Sequence, residues 1–234
     1  RKETRRTATQ PQRLTPGRRP FMRSDPISPQ GRHTVTVGDV SLTVETPPDL
    51  DALLDRAAAD DPQAVDAIPY YAILWPAAHG LAHYLWDHRA ELAGRRVLEL
   101  GCGLGLPSIL AARLGAQVTA TDFHPDNGAW LQHNAALNSV AVAYAQLDWN
   151  AFLAVPPADL RPLSSALQPA PLVIGRHLLY ERRHIPALVC AIGALCAPGG
   201  HAVIADPVRD HLPLFVSGLE KDGWRTTLLP VDDI

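Results

Sequence analysis

From residue 96 onward the chain alternates two kinds of segment, and that alternation restricts its fold more than any other feature. Apolar runs bounded by glycine, proline or polar residues, at 96–100, 117–121, 141–147, 172–174 and 202–205, read as strands. Between and after them, 107–114, 126–138, 184–196 and 210–222 carry helical patterning. Strands separated by helices of this length form βαβ units. The expected fold is therefore α/β, a Rossmann-like, doubly wound, mainly parallel sheet with helices on both faces. In such sheets ligands bind at the carboxyl ends of the strands, which directs attention to the loops that follow them. No internal repeat competes with this reading.

Upstream, 33–37 and 41–45 alternate β-favouring residues around Gly38-Asp39, the pattern of a short hairpin. Residues 50–59 read as a helix capped by Asp49, and Pro76 opens another expected to run past Gly80 to about Leu92. A strand pattern at 224–229 would give the sheet a sixth member.

Charge divides the chain. Residues 1–32 hold nine basic side chains against Glu3 and Asp25, an excess of seven positive charges, which leaves ten negative for the rest of a chain of net charge -3. This segment also carries Pro11, Pro16, Pro20, Pro26 and Pro29 with little apolar periodicity, so it cannot bury enough surface to offset the entropy of ordering. It is expected to be a disordered basic tail, with residues 33–234 as the single folded domain. Met22 is the only methionine, and translation is expected to start there; peptides from residues 1–21 in the native protein would refute this. No run reaches the roughly 18 apolar residues of a membrane span, and no secretory layout opens the chain. A cytoplasmic protein with no membrane partner is expected. Nucleic acid is not an expected partner either, since Phe21 is the tail's only aromatic residue. Three cysteines, Cys102, Cys190 and Cys196, without a C-x-x-C pair indicate neither a disulfide framework nor a structural zinc site.

The most informative segment is the loop after the first of these strands, Val97-Leu98-Glu99-Leu100-Gly101-Cys102-Gly103-Leu104-Gly105-Leu106-Pro107. Glycines let the backbone turn sharply and a ligand approach closely, while the helix from Pro107 aims free N–H groups at the same place. The spacing is G-x-G-x-G, whereas a dinucleotide fingerprint would need its third glycine at Leu106. Glu99 would repel a phosphate but suits a ligand with a cationic amino group, such as S-adenosylmethionine. A tight strand-to-helix turn with no ligand is the plainer alternative. Asp122 closes the next strand, where a carboxylate can accept hydrogen bonds from both ribose hydroxyls, or can simply organise the turn. Asp148-Trp149 closes the third, offering an acceptor for an adenine amino group and an aromatic wall, although Trp149 could equally be core. In order along the chain, the three describe an adenosine pocket.

These residues resemble the class I, seven-β-strand S-adenosylmethionine-dependent methyltransferases over about residues 69–224. Pro69-Tyr70-Tyr71-Ala72-Ile73-Leu74-Trp75-Pro76, the Glu99 to Pro107 loop, Leu147-Asp148-Trp149 and Leu178-Leu179-Tyr180-Glu181 are similar to the lysine methyltransferase branch. That branch contains the electron-transfer flavoprotein β-subunit enzyme and bacterial nicotinamide N-methyltransferase-like proteins. The resemblance implies that Trp75 packs near the cofactor, that Glu99, Gly101, Gly103 and Gly105 surround its methionine part, that Asp122 holds the ribose, and that Asp148 and Trp149 flank the adenine. It implies an enzyme transferring the sulfonium methyl to a protein lysine; a small-molecule amine is the alternative acceptor, and a cofactor-binding protein without transfer the third reading. Tyr180 is the expected wall of the transfer site, followed by His177 and Glu181.

Two departures stand out. Where the branch usually places an acidic residue, three before the tyrosine, this chain has His177, neutral or cationic near pH 7. Glu181 could supply the missing acid, or sit in the first turn of the following helix. The family also ends on an antiparallel seventh strand, which is expected to be missing from this chain. A small-molecule enzyme would need a closed pocket, with the hairpin and the helix after Asp49 as its lid. His79 and His83, four apart near His88, lack a third ligand, so no metal is expected. Ser108 has no nucleophile elbow, and Cys102 fills a small site without chemistry.

Overall fold

The computed structural model describes residues 31–60, 68–153 and 167–230. Five parallel strands form the central sheet in the order β5-β4-β3-β6-β7: β3 Arg96–Leu100, β4 Gln117–Asp122, β5 Ala143–Gln146, β6 Ala170–Arg176 and β7 Cys196–Ala205. The pleat of β3 explains both layers of the core. Val97 points into one cluster with Leu81, Ile109 and Leu131, while Leu98 and Leu100 point into the other with Leu188, Ile192 and Phe215. The first layer belongs to α2 (Pro76–Asp87), α3 (Leu106–Arg113) and α4 (Asn127–Leu137), the second to α5 (Ile185–Leu195) and α6 (Leu212–Lys221). The fold is thus the expected doubly wound α/β sheet. Winding runs outward from β3 through β4 to β5, then restarts at β6 on its other side, so the carboxyl ends of β3 and β6 form a switch point.

The antiparallel hairpin of β1 (Gly31–Val37) and β2 (Val40–Thr46) forms a separate sheet. It includes Gly31 and Arg32, and Arg32 pairs with Glu45 at 2.6 Å, so the folded part begins before the expected boundary at residue 33. The tail expectation otherwise falls on residues 1–30, outside those described. Asn134 on α4 fastens the hairpin: its Oδ1 accepts from the Glu45 amide at 2.8 Å, and its Nδ2 donates to the carbonyls of Glu45 at 3.0 Å and Leu104 at 3.2 Å. The hairpin half of the expected lid is therefore a flank, held against the face formed by α2, α3 and α4. Asn134→Ala would orphan three backbone groups around a fully buried side chain, an expected loss of about 2–4 kcal/mol in urea unfolding, with earlier proteolytic cutting in the hairpin.

Other boundaries shift for visible reasons. Asp49 caps α1 (Leu50–Asp60) as expected, its Oδ1 accepting from the Ala52 amide at 2.8 Å. The helix from Pro76 ends at Asp87 rather than near Leu92. His88 leaves helical geometry, and its ring and the Arg89 guanidinium take up the Tyr84 and Trp86 carbonyls at 2.8 and 2.9 Å. Edge strand β5 starts at Ala143 because its ladder with β4 starts there. β7 begins directly at the end of α5 and reaches its main register with β6 after an irregularity between Ala170 and Leu172.

The expected strand at 224–229 is absent. The Trp224 amide returns to the Leu219 carbonyl, Thr226 donates to Glu220 at 2.7 Å, and Leu228 and Leu229 remain 65% and 64% exposed. These contacts tie the segment to the end of α6 instead of to β7.

Candidate functional site

The loop between β3 and α3 is held open by three left-handed glycines, Gly101, Gly103 and Gly105, with φ of 64°, 48° and 84°. Side chains pin it in place. The Asp122 Oδ2 accepts from the Gly103 amide at 2.8 Å, and Asn127 Nδ2 donates to the Gly103 carbonyl at 2.8 Å. From β6, the Arg176 Nη2 donates to the Cys102 carbonyl at 2.6 Å. The loop is therefore held by side chains from β4, α4 and β6, and its shape is fixed before any ligand arrives. Cys102 is fully buried, burial pushes its thiol well above the usual range, and its Sγ donates to Asn127 Oδ1, which makes it inert filling.

Glu99 lies behind this loop rather than in it. The Ser108 hydroxyl donates to its carboxylate, Arg176 Nε stands 4.0 Å from Oε1, and burial pushes its pKa up to about 7 against both partners. The alternation of β3 turns Glu99 toward α3, so it does not line the cavity as the sequence suggested. Gly105 does not either; it faces Leu131, whose Cδ1 would lie 2.2 Å from an added Cβ.

The cavity itself, about 290 Å³, opens at the switch point. That is near the lower end of the roughly 300–1,000 Å³ of small-molecule sites. Gly101, Gly103, Asp122, Asp148, Trp149 and Trp75 all line it, as do Tyr180, His177 and Glu181. Nine of the eleven residues singled out from sequence thus share one wall. Asp122 ends β4 and Asp148 follows β5, with Phe123, 45% exposed, between them along the wall. Asp148 also caps the 3-10 turn Trp149–Phe152, its Oδ1 accepting from the Asn150 amide at 2.8 Å, which fixes the indole beside it. At the other end aromatic rings frame the mouth. Tyr70 stands 5.7 Å from Tyr180 and 6.5 Å from Trp75, and Trp75 is 5.1 Å from His177.

Of the two charge states left open for His177, its surroundings select the neutral one. It has a left-handed φ of 52°, held by its amide's bond to the Ala205 carbonyl. Arg209 Nη2 approaches Nδ1 at 2.9 Å and the Ala77 amide approaches Nε2 at 3.2 Å. Both neighbours are donors; a neutral imidazole accepts one of them at a time, and a protonated ring would satisfy neither. Burial, then the charges of Arg176 and Arg209, push its pKa down to about 3. His177 is therefore neutral near pH 7, never the cation considered above. Glu181 is not in the first turn of a helix: it precedes the 3-10 turn Arg182–His184 and pairs with Arg183 at 3.4 Å. Among the wall residues that escaped the sequence reading are two cations, Arg176 and Arg209; the latter is tied to Asp206 at 2.6 Å.

The low pKa of His177 has a stability consequence of fixed sign. The unfolded ring takes up a proton near pH 6.5 and the folded one near 3, so stability falls as pH drops through that window. Glu99 acts oppositely, its raised pKa making stability fall as pH rises from 4.5 through about 7. A comparison of variants isolates the first effect. His177→Gln is expected to lose up to about 2 kcal/mol less than the parent between pH 6.5 and 5 in urea unfolding.

Among the described residues no cluster of three or more His, Cys, Asp or Glu is arranged to hold a metal ion, and no helix is long and apolar enough to cross a membrane. His79 is half-buried, with its pKa lowered by burial.

Comparison with known proteins places this architecture. The chain is 32% identical over 126 residues to a histone-arginine methyltransferase of Xenopus laevis, covering 53% of this chain and 50% of the relative. It is 43% identical over 74 residues to the electron transfer flavoprotein beta subunit lysine methyltransferase of Danio rerio, covering 31% and 29%. These matches span half or less of the relatives' length. Among solved structures, the T. thermophilus 16S rRNA N2 G1207 methyltransferase in complex with AdoMet and guanosine superposes with a TM-score of 0.56 at 17% identity, covering 80% of this chain and 45% of that one, a likeness of fold. The lysine methyltransferase family matches residues 69–212, the span from the aromatic mouth through all five strands to the start of α6, and the chain belongs to that family.

Proposed function

We propose that this protein transfers a methyl group from S-adenosylmethionine to a nitrogen of a protein side chain, lysine first. The observation that carries the reading is that two carboxylates at consecutive strand ends, Asp122 and Asp148, line the same cavity as the aromatic group of Tyr70, Trp75 and Tyr180. The cofactor supplies an already activated sulfonium methyl. The chain's own residues have to bind, orient and exclude water. Asp122 would accept the ribose hydroxyls, and Asp148 the adenine amino group, with Trp149 and Phe123 beside the ring. Gly101 and Gly103 leave backbone room for the methionine part, and Trp75 packs near it. Glu99 would act from behind, holding the loop through Ser108 and Arg176.

At the mouth, Tyr70 and Tyr180 are 40% and 41% exposed, which favours an acceptor presented on the end of a chain over one enclosed in the cavity. The hairpin lies against α4, so it does not serve as part of the lid that a small-molecule enzyme would need. A neutral His177 offers an incoming ammonium no counter-charge, which leaves Glu181, beside Tyr180 in the same cavity, as the carboxylate that would meet it; the nitrogen must then lose its proton before it can attack the methyl. Action in the cytoplasm belongs to the same proposal.

Tritiated S-adenosylmethionine incubated with the protein and a cell extract tests this. Label in a protein band, recovered after acid hydrolysis as methyllysine, is expected. Methylarginine would reassign the acceptor, and label in small molecules alone would overturn the protein acceptor. Calorimetry without detectable cofactor binding would overturn the whole reading.

A further inference from the structure

We propose that Arg176 recognises the α-carboxylate of the cofactor's methionine part, an inference that rests on the S-adenosylmethionine reading above. The charges around the cavity decide where a carboxylate can go. Asp122, Asp148 and Glu181 repel it, and of the two cations in the wall Arg209 is already engaged by Asp206 and His177. Arg176 is the other. Its side chain is only 3% exposed, yet it belongs to the cavity wall.

The guanidinium lies against the glycine loop. A Cβ at Gly103 would fall 2.5 Å from Nη2, so the glycine leaves room for this group. Nη2 is used by the Cys102 carbonyl, but Nε is buried without a hydrogen-bond partner. The carboxylate that would be its natural partner, Glu99, stops 4.0 Å away, with Oε1 also unpartnered. A buried guanidinium left with unused donors is costly unless an acceptor completes it. Nε faces Glu99 behind the loop, so a ligand carboxylate entering beside Gly103 would take charge-assisted hydrogen bonds from the Nη edge of the same guanidinium, whose charge no close carboxylate answers. A position beside the loop is also consistent with the ribose lying at Asp122, since Asp122 holds the amide of the same Gly103.

The alternative is that Arg176 only ties the loop to Glu99, and ligands that differ in the carboxylate alone separate the two. The full chain is titrated calorimetrically with S-adenosylhomocysteine and with its decarboxylated analogue, S-adenosyl-3-thiopropylamine. The wild-type chain is expected to prefer the first by roughly 10- to 100-fold, the worth of charge-assisted hydrogen bonds. In Arg176→Met that preference should collapse to within about 3-fold, on top of whatever loss both ligands share once the Cys102 carbonyl has lost its donor. Arg176→Lys, which keeps the charge and loses the fork, should fall between. Equal wild-type affinity for the two ligands would overturn the inference while leaving the cofactor reading intact, and this result needs no variant to fold. Equal weakening of both ligands in Arg176→Met, with the preference preserved, would also overturn it and assign Arg176 to the loop alone. Binding of neither ligand by the wild-type chain would overturn the cofactor reading and this inference with it.

Discussion

Asp122→Ala is expected to lower S-adenosylmethionine affinity about 100-fold while leaving the sheet folded, measured by calorimetry alongside circular dichroism. The magnitude follows from the two hydrogen bonds that the carboxylate would offer a ribose, taken at about 1.5 kcal/mol each, the lower end for a bond with one charged partner. The same carboxylate also accepts from the Gly103 amide at 2.8 Å and the His124 amide at 3.3 Å, so its removal loosens the loop on which the methionine part would rest. Burial raises the pKa of Asp122, against the backbone N–H groups that lower it. Those donors are the reason an anion can stand here at all. Asp122→Asn keeps one acceptor, enough for Gly103, and loses the charge and the second acceptor that takes the His124 amide, so its loss of affinity should be intermediate. An unchanged affinity in Asp122→Ala would mean that the ribose lies elsewhere.

Asp122 was legible in the sequence because strand ends are. A residue that closes an apolar run in a parallel sheet has its neighbourhood fixed by topology, and Asp122, Asp148 and the glycines of the first loop all occupy such positions. Glu99 was misplaced for the complementary reason. It lies inside its strand, where the side-chain direction depends on the pleat, and its pleat faces α3 rather than the cavity. Arg176 has the opposite history: at the last position of β6 it reaches the wall, but a lone arginine after a glycine carries no pattern of its own. Arg209 comes from a loop beyond β7, and only the tertiary fold brings it to His177. The protonation of His177 was equally out of reach, since it depends on two arginines and a helix amide that lies 100 residues away in the chain. The segment at 224–229 failed as a strand because its local β-favouring composition was weighed without a partner, and the contacts to α6 won.

Tyr180→Ala is expected to lower the transfer rate about 100-fold with cofactor affinity unchanged. In-line transfer depends on the acceptor nitrogen arriving along the axis of the breaking bond, and a misplacement near 1 Å can remove a factor of about 100. Tyr180 is the mouth residue best placed to guide that approach: its ring packs 5.7 Å from Tyr70 and 5.8 Å from His184, with 41% of its surface open. Those two neighbours hold the ring while leaving a face for the acceptor. Tyr180→Phe keeps the ring and its packing, so it should retain most of the rate if the wall is what matters; a loss as deep as that of the alanine variant would assign the work to the hydroxyl instead. The split between parameters is the decisive readout. If cofactor affinity falls in step with the rate, Tyr180 belongs to the cofactor's wall and the acceptor enters by another path. A rate loss alone places the acceptor channel between Tyr70 and Tyr180, on the side of the cavity away from Asp122.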